Sequence, residues 1–113
     1  MENQNMDQDI SYKERLFCEL ILRQSGAARF SRIAADTLGK ILKRDFNFKE
    51  FPSVIIKKDP ETGISFGRLE DAEVEIAQVA TKIAKKAVNY AQQKGRRTVK
   101  VSDIETVASE VKK

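Results

Sequence analysis

The sequence predicts a mainly α-helical domain interrupted once by a small β-hairpin. Two observations carry this. Apolar residues recur at helical spacing in four stretches. In one middle stretch that spacing gives way to short β-branched runs around a turn bearing Pro and Gly. A length of 113 residues with 41% hydrophobic content fits one folded domain.

The elements follow in order. Residues 1–12 read as a flexible acidic tail with Glu2, Asp7 and Asp9 and no base. The domain then spans 13–113, with 45–78 as an insertion. Ser11 to Gln24 carries the stripe Leu16, Phe17, Leu20, Ile21, and Ser25-Gly26 stops it. A short loop with Arg29 leads to Ser31, which is placed to cap a second helix. That helix has the stripe Ile33, Ala34, Thr37, Leu38, Ile41, Leu42 and reads to about Arg44. Asp45 to Phe51 alternates with period two until Pro52 breaks it. Ser53–Lys58 and Ile64–Gly67 read as strands around a turn, Asp59 to Gly63, with Gly63 in the left-handed position. From Leu69 the helical period returns and runs to Lys94. Ser102 to Val111 reads as a last helix with Ser102 as its cap. No repeat is visible along the chain.

Composition narrows the function. No apolar run is long enough to span a bilayer, so no membrane partner is expected. The polar, acidic start is unlike a secretory signal, and an intracellular place is expected. Cys18 is the single cysteine, set among apolar residues, and there is no His. No metal site and no cofactor are therefore expected. No catalytic constellation is visible, so the chain does not read as an enzyme. Glu70, Asp71, Glu73 and Glu75 are better explained as acids in a helix's first turns than as a metal cluster.

The net charge of +4 hides a division. Residues 45–78 hold 8 acids and 4 bases, and residues 1–12 hold 3 acids. The outer segments, 13–44 and 79–113, keep 17 bases against 6 acids. Solubility needs a net charge of only about 2–8 on a small domain. An excess of this size is the electrostatic footprint of a nucleic-acid binder.

The stretch Gly95-Arg96-Arg97-Thr98-Val99-Lys100-Val101-Ser102-Asp103-Ile104 is the most informative one. Gly95 suits the left-handed end of a helix. Thr98 to Val101 reads as a short extended piece. A loop presenting Arg96, Arg97, Thr98 and Lys100 together can hold phosphate oxygens; alone, it reads equally as a solvated basic turn.

The outer segments resemble the histone fold, and most closely an archaeal-type histone. Ile21-Leu22-Arg23-Gln24-Ser25-Gly26-Ala27-Ala28-Arg29-Phe30-Ser31 resembles the end of that family's first helix and its first loop. Residues 35–44 and 79–95 resemble the two halves of its long central helix, and Arg96 to Ile104 its second loop. The resemblance implies a helix–loop–long helix–loop–helix fold, paired head to tail in an obligate handshake dimer. The first loop of one subunit would lie beside the second loop of the other. The implied partner is either a second copy or another histone-fold chain, with higher oligomers an open extension.

For function, the resemblance implies binding to double-stranded DNA at the nucleoid or chromosome, with little base specificity, to bend or compact it. Carried over by position, Arg29 is the minor-groove arginine and Arg23 a first-helix phosphate contact. Arg96, Arg97, Thr98 and Lys100 are second-loop phosphate contacts, and Arg96 with Asp103 is a loop-bracing pair. The chain departs from the family pattern at 45–78, at Leu20 where a base is usual, and at Gln93 where a His often helps dimers stack. The alternative reading is a histone-fold subunit of a transcription or chromosome-maintenance complex. There Phe46, Phe48, Phe51, Val54, Ile55 and Ile56 would supply a docking surface rather than a small core under the hairpin.

Overall fold

The computed structural model describes residues 9–112. The first helix, α1 (Tyr12–Gln24), begins at a capping box. Glu14 N–H donates to Ser11 Oγ at 3.2 Å, and Ser11 N–H donates to Glu14 Oε1 at 2.9 Å. Residues 1–8 of the expected tail lie outside the described residues. Its last four do not behave as a tail. Ile10 lies over Gly39, Lys43 Nζ donates to the Asp9 carbonyl at 3.0 Å, and Tyr12 is already helical. The helix cap and the apolar Ile10 together draw this segment onto the domain.

After α1 the chain turns through Gly26 at φ +101° into a two-residue strand, β1 (Arg29–Phe30). Ser31 then caps α2 (Arg32–Phe46), its Oγ accepting from Ala34 N–H at 3.0 Å. The period-two alternation from Asp45 forms no strand. Asp45 and Phe46 complete α2, and Asn47 ends it in the left-handed conformation at φ 61°. Asn tolerates that conformation better than other non-glycine residues.

A hairpin follows, β2 (Val54–Lys58) and β3 (Ser65–Leu69), antiparallel with Val54 opposite Leu69 and Lys58 opposite Ser65. Its turn closes on Asp59: Gly63 N–H donates to the Asp59 carbonyl at 2.8 Å, with Gly63 at φ +75°. The next helix, α3 (Glu75–Gln93), starts six residues later than its periodicity predicts. Leu69 is buried at the end of β3, where the cross-strand pairing to Val54 outweighs its helical register. Of the four acids assigned to a first helical turn, only Glu75 occupies one. A two-residue strand, β4 (Thr98–Val99), and α4 (Val101–Lys112) complete the chain.

The backbone contains a duplication that the sequence does not display. Helix α1, strand β1 and helix α2 form one helix–strand–helix unit, and α3, β4 and α4 form another. Both helices end in the same hydrogen-bonded turn. Gly26 N–H donates to Arg23 O and Ala27 N–H to Leu22 O; Gly95 N–H donates to Gln92 O and Arg96 N–H to Ala91 O. Each turn is closed by a glycine at positive φ, +101° and +75°. The side chains at matching places differ, as Ala28 and Arg97 do, so no sequence repeat is legible.

The two units close on each other within one chain. Strands β1 and β4 pair in parallel, Arg29 opposite Thr98 and Phe30 opposite Val99. Phe17, Ile21, Leu22, Leu38, Leu42, Ile83, Val99 and Ile104 fill the space between the helices. Phe51 and Leu69 join this same cluster, and the Phe51 ring meets Phe17 edge-on at 5.4 Å. The middle segment therefore adds to the main core at its base instead of forming a separate protrusion with its own satellite core.

This arrangement corrects the expected handshake at its central point. The first loop was assigned a partner loop on a second chain; here its partner is the second loop of the same chain. The connection between α2 and α3 lets α3 reverse direction rather than continue α2. An intrachain partner is then always at hand, at a loop-closure cost that grows only slowly with length.

Candidate nucleic-acid interface

The paired strands gather the loop cations. Each strand is followed by one residue and then a helix: Ser31 before α2, Lys100 before α4. Because the strands are parallel, both helix N-termini lie at the same end of the ribbon. Their free N–H groups give that end a partial positive charge. Val99 is buried and anchors the ribbon to the core. Arg29, Arg97 and Lys100 are exposed, and Thr98 is half-buried.

Arg23 stands in the last turn of α1, its guanidinium 5.4 Å from the centre of the Phe30 ring. That contact orients the cation toward the ribbon without neutralising it. Arg32, the first residue of α2, is also exposed beside this end. Sequence reasoning missed it, although its place directly after the capping Ser31 could have signalled it.

Arg96 differs in kind from its neighbours. It donates from Nη1 and Nη2 to the two oxygens of Asp103, both at 2.7 Å, and from Nη1 to the Thr98 carbonyl at 3.1 Å. Asp103 is fully buried. Its Oδ2 also accepts the Lys100 N–H at 2.8 Å. This last bond corrects the helix start. Ser102 lies inside the first turn of α4 and does not cap it; the Asp103 carboxylate reaches back over Lys100 instead. The Arg96 guanidinium holds the Asp103 carboxyl below the usual carboxylate range, against the opposing effect of burial. Asp103 in turn raises the affinity of Arg96 for its proton. Arg96 is therefore committed to shaping the loop, with about a quarter of its side-chain surface left to solvent.

Three cations of α1 and α2 are neutralised by carboxylates. Arg15 pairs with Asp36 at 2.7 Å, Lys43 with Glu14 at 2.8 Å, and Arg44 with Asp45 at 2.9 Å. Among the described residues, no ion pair involves Arg23, Arg29, Arg97 or Lys100. A cleft of about 240 Å³ opens between the two matching turns, lined by Gly26, Ala28, Gln92, Arg96 and Arg97 among others.

Among the described residues, no group of three or more His, Cys, Asp or Glu side chains converges as a metal site. The Cys18 thiol is buried, and burial with the nearby Asp36, Glu14 and Glu19 charges pushes its ionisation up and out of reach. No helix among the described residues is long and apolar enough to cross a membrane. Comparison with protein-family profiles, with curated proteins and with solved structures finds no match to this chain.

Proposed function

We propose that the protein is a histone-like architectural protein that binds duplex DNA through its paired loops, with little base specificity. The parallel pairing of β1 with β4 is the observation that carries this reading. It brings Arg29, from one end of the chain, beside Thr98, Arg97 and Lys100 from the other. Strands in a sheet lie about 4.8 Å apart, so these cations converge on one stretch of sugar–phosphate backbone.

Arg97 and Lys100 contact phosphate oxygens, with the Thr98 hydroxyl as a neutral donor. Arg23, held against Phe30, reaches a neighbouring phosphate. Arg29 enters the minor groove, where an arginine reads width and charge rather than base identity. Arg96 and Asp103 hold the second loop in the shape this needs. None of these contacts distinguishes bases strongly, so the bound duplex is selected by its bendability.

The test is fluorescence anisotropy on random and AT-rich duplexes across a salt series. Binding should weaken steeply with salt, each phosphate contact adding about 0.9 to the slope of log affinity against log salt. Arg29→Ala with Arg97→Ala should lower both affinity and slope while the melting temperature stays put. Duplex binding no better than to a neutral polymer at low salt would reject the proposal.

One observation favours a second reading, a histone-fold subunit acting through protein contacts. The hairpin leaves Ile56, Ile64 and Phe66 more than half exposed. Ile56 and Phe66 line a groove of about 430 Å³ between the hairpin and α1, together with Leu16, Leu20 and Val54. On that reading Ile56→Ser and Phe66→Ser would abolish function in cells with duplex affinity unchanged.

A further inference from the structure

The outer face of α3 carries a pattern that the loop surface leaves unexplained. Gln78, Lys82, Lys85, Lys86, Asn89 and Gln93 are all exposed on it. Lys82, Lys86, Asn89 and Gln93 follow at i, i+4, i+7 and i+11, which is a single line along a helix. After Glu75 the helix contains no acid. The face thus offers only ammonium and amide groups, all of them hydrogen-bond donors.

On α2 the charges are mixed: Asp36, Lys43 and Arg44 each have an oppositely charged partner, while among the described residues Arg32 and Lys40 have none. Among the described residues none of Lys82, Lys85 and Lys86 has one. Lys82 lies three and four residues from Lys85 and Lys86, and like charges at these spacings repel along a helix. A helix stabilised for its own sake would place Glu among them. Three uncompensated lysines on one face suit a repeating anion.

The face is also joined to the loops. Gln92 borders it and lines the cleft between the two turns, together with Arg97, Arg96 and Ala28. Ala28 precedes Arg29 directly. A run of donors on α3, from Lys82 past Gln92, therefore reaches the cleft that Arg97 also lines, and after Glu75 the helix itself adds no carboxylate.

We propose that the outer face of α3 is a second part of the polyanion-binding surface, continuous with the paired loops, so that one duplex backbone is followed from the loops along the helix. This rests on the DNA-binding reading above. Lys82 to Gln93 spans about 17 Å at a helical rise of 1.5 Å per residue. That distance equals the axial rise of about five base pairs.

The experiment compares four proteins on a 10-bp and a 24-bp duplex over a salt series. They are the wild type, the face variant Lys82→Gln with Lys85→Gln and Lys86→Gln, the loop variant Arg29→Ala with Arg97→Ala, and a charge-matched control. The control is Lys57→Gln, Lys58→Gln and Arg68→Gln on the hairpin, three cations that are likewise exposed. Gln sustains a helix about as well as Lys, so the face variant should keep its helical signal and melting temperature. On the 24-bp duplex the face variant should lose about 2 to 3 units of salt slope, and the control less than one. The 10-bp duplex rises about 34 Å and so can reach both parts, and the loss should persist on it. A face variant equal to the control on both duplexes, with the loop variant impaired, overturns this inference and leaves the loop reading intact. A loop variant that binds like the wild type overturns the loop reading, and with it the continuity proposed here.

Discussion

Arg96 and Arg97 are neighbours in sequence with opposite occupations. Arg96 is bonded to Asp103 and Thr98; Arg97 is exposed. Arg97→Ala should therefore weaken duplex binding without changing the melting temperature. Arg96→Ala should lower both, because it leaves the buried Asp103 with the Lys100 N–H alone. Equal melting temperatures for the two variants would contradict the brace. Asp103→Ala should destabilise by about 3 kcal/mol in denaturant titration. That is the low end for breaking a buried ion pair, since Arg96 can turn to water. The pair also sets an acid limit. Asp103 binds its proton more weakly when folded than when unfolded. Its contribution is complete above the ordinary carboxylate value of about 4 and falls away as pH drops through the lower folded value. Glu14 and Asp45 are shifted in the same direction. Asp103→Asn should thus flatten the fall in stability below about pH 4 in part, as read from unfolding midpoints at stepped pH. An unchanged acid slope would remove Asp103 from this account. The Arg96–Asp103 pair was legible in the sequence only through family resemblance, because the loop and β4 separate Arg96 from the helix that carries Asp103 and nothing local announces the contact.

Among the elements, the helices were read within two residues at most ends, and the hairpin turn was located correctly. Capping and left-handed glycines are local devices, decided by side chains three or four residues away. The errors fall where a distant partner decides. Leu69 continues a helical stripe by spacing, yet it pairs with Val54 and ends a strand. Phe51 reads as part of a loose alternating run, yet it sits 6% exposed against Phe17. Burial makes Phe51 a test of whether the middle segment belongs to the main core. Phe51→Ala should cost about 3–5 kcal/mol, as for other buried aromatics. A loss below 1 kcal/mol by thermal or denaturant unfolding would mean the hairpin is an appendage after all. Ile56 and Phe66, on the exposed side, should each change stability by no more than about 0.5 kcal/mol on replacement by Ser.

For the whole molecule, the connection between α2 and α3 decides how the chain closes. The reversal permits β1 and β4 to meet in one chain. The protein should accordingly sediment as a folded monomer at micromolar concentration without DNA. A tight dimer that cannot be diluted apart while folded would restore the interlocked arrangement. The counterpart is a variant in which residues 47–74 are replaced by a short helical join. The 15 residues of α2 and 19 of α3 would then form one rod about 50 Å long. Such a rod holds β1 and β4 at opposite ends, so their pairing must come from a second chain. This variant should sediment as a dimer, whereas a folded monomer would mean that loop pairing is dispensable.

By itself the sequence determined the helical class, the Ser31 cap and the glycine turns, the concentration of cations in the outer segments and the loop residues that carry them. These depend on neighbours within a few residues, or on composition alone. The tertiary structure alone decided which loop pairs with which, that the two halves repeat one backbone form, that Phe51 and Leu69 enter the core, and that Gln92 of α3 lines the cleft between the loops. Each of these is a contact between segments far apart in the chain. The energy of such a contact depends on the path of the connection, and periodicity and spacing do not encode that path.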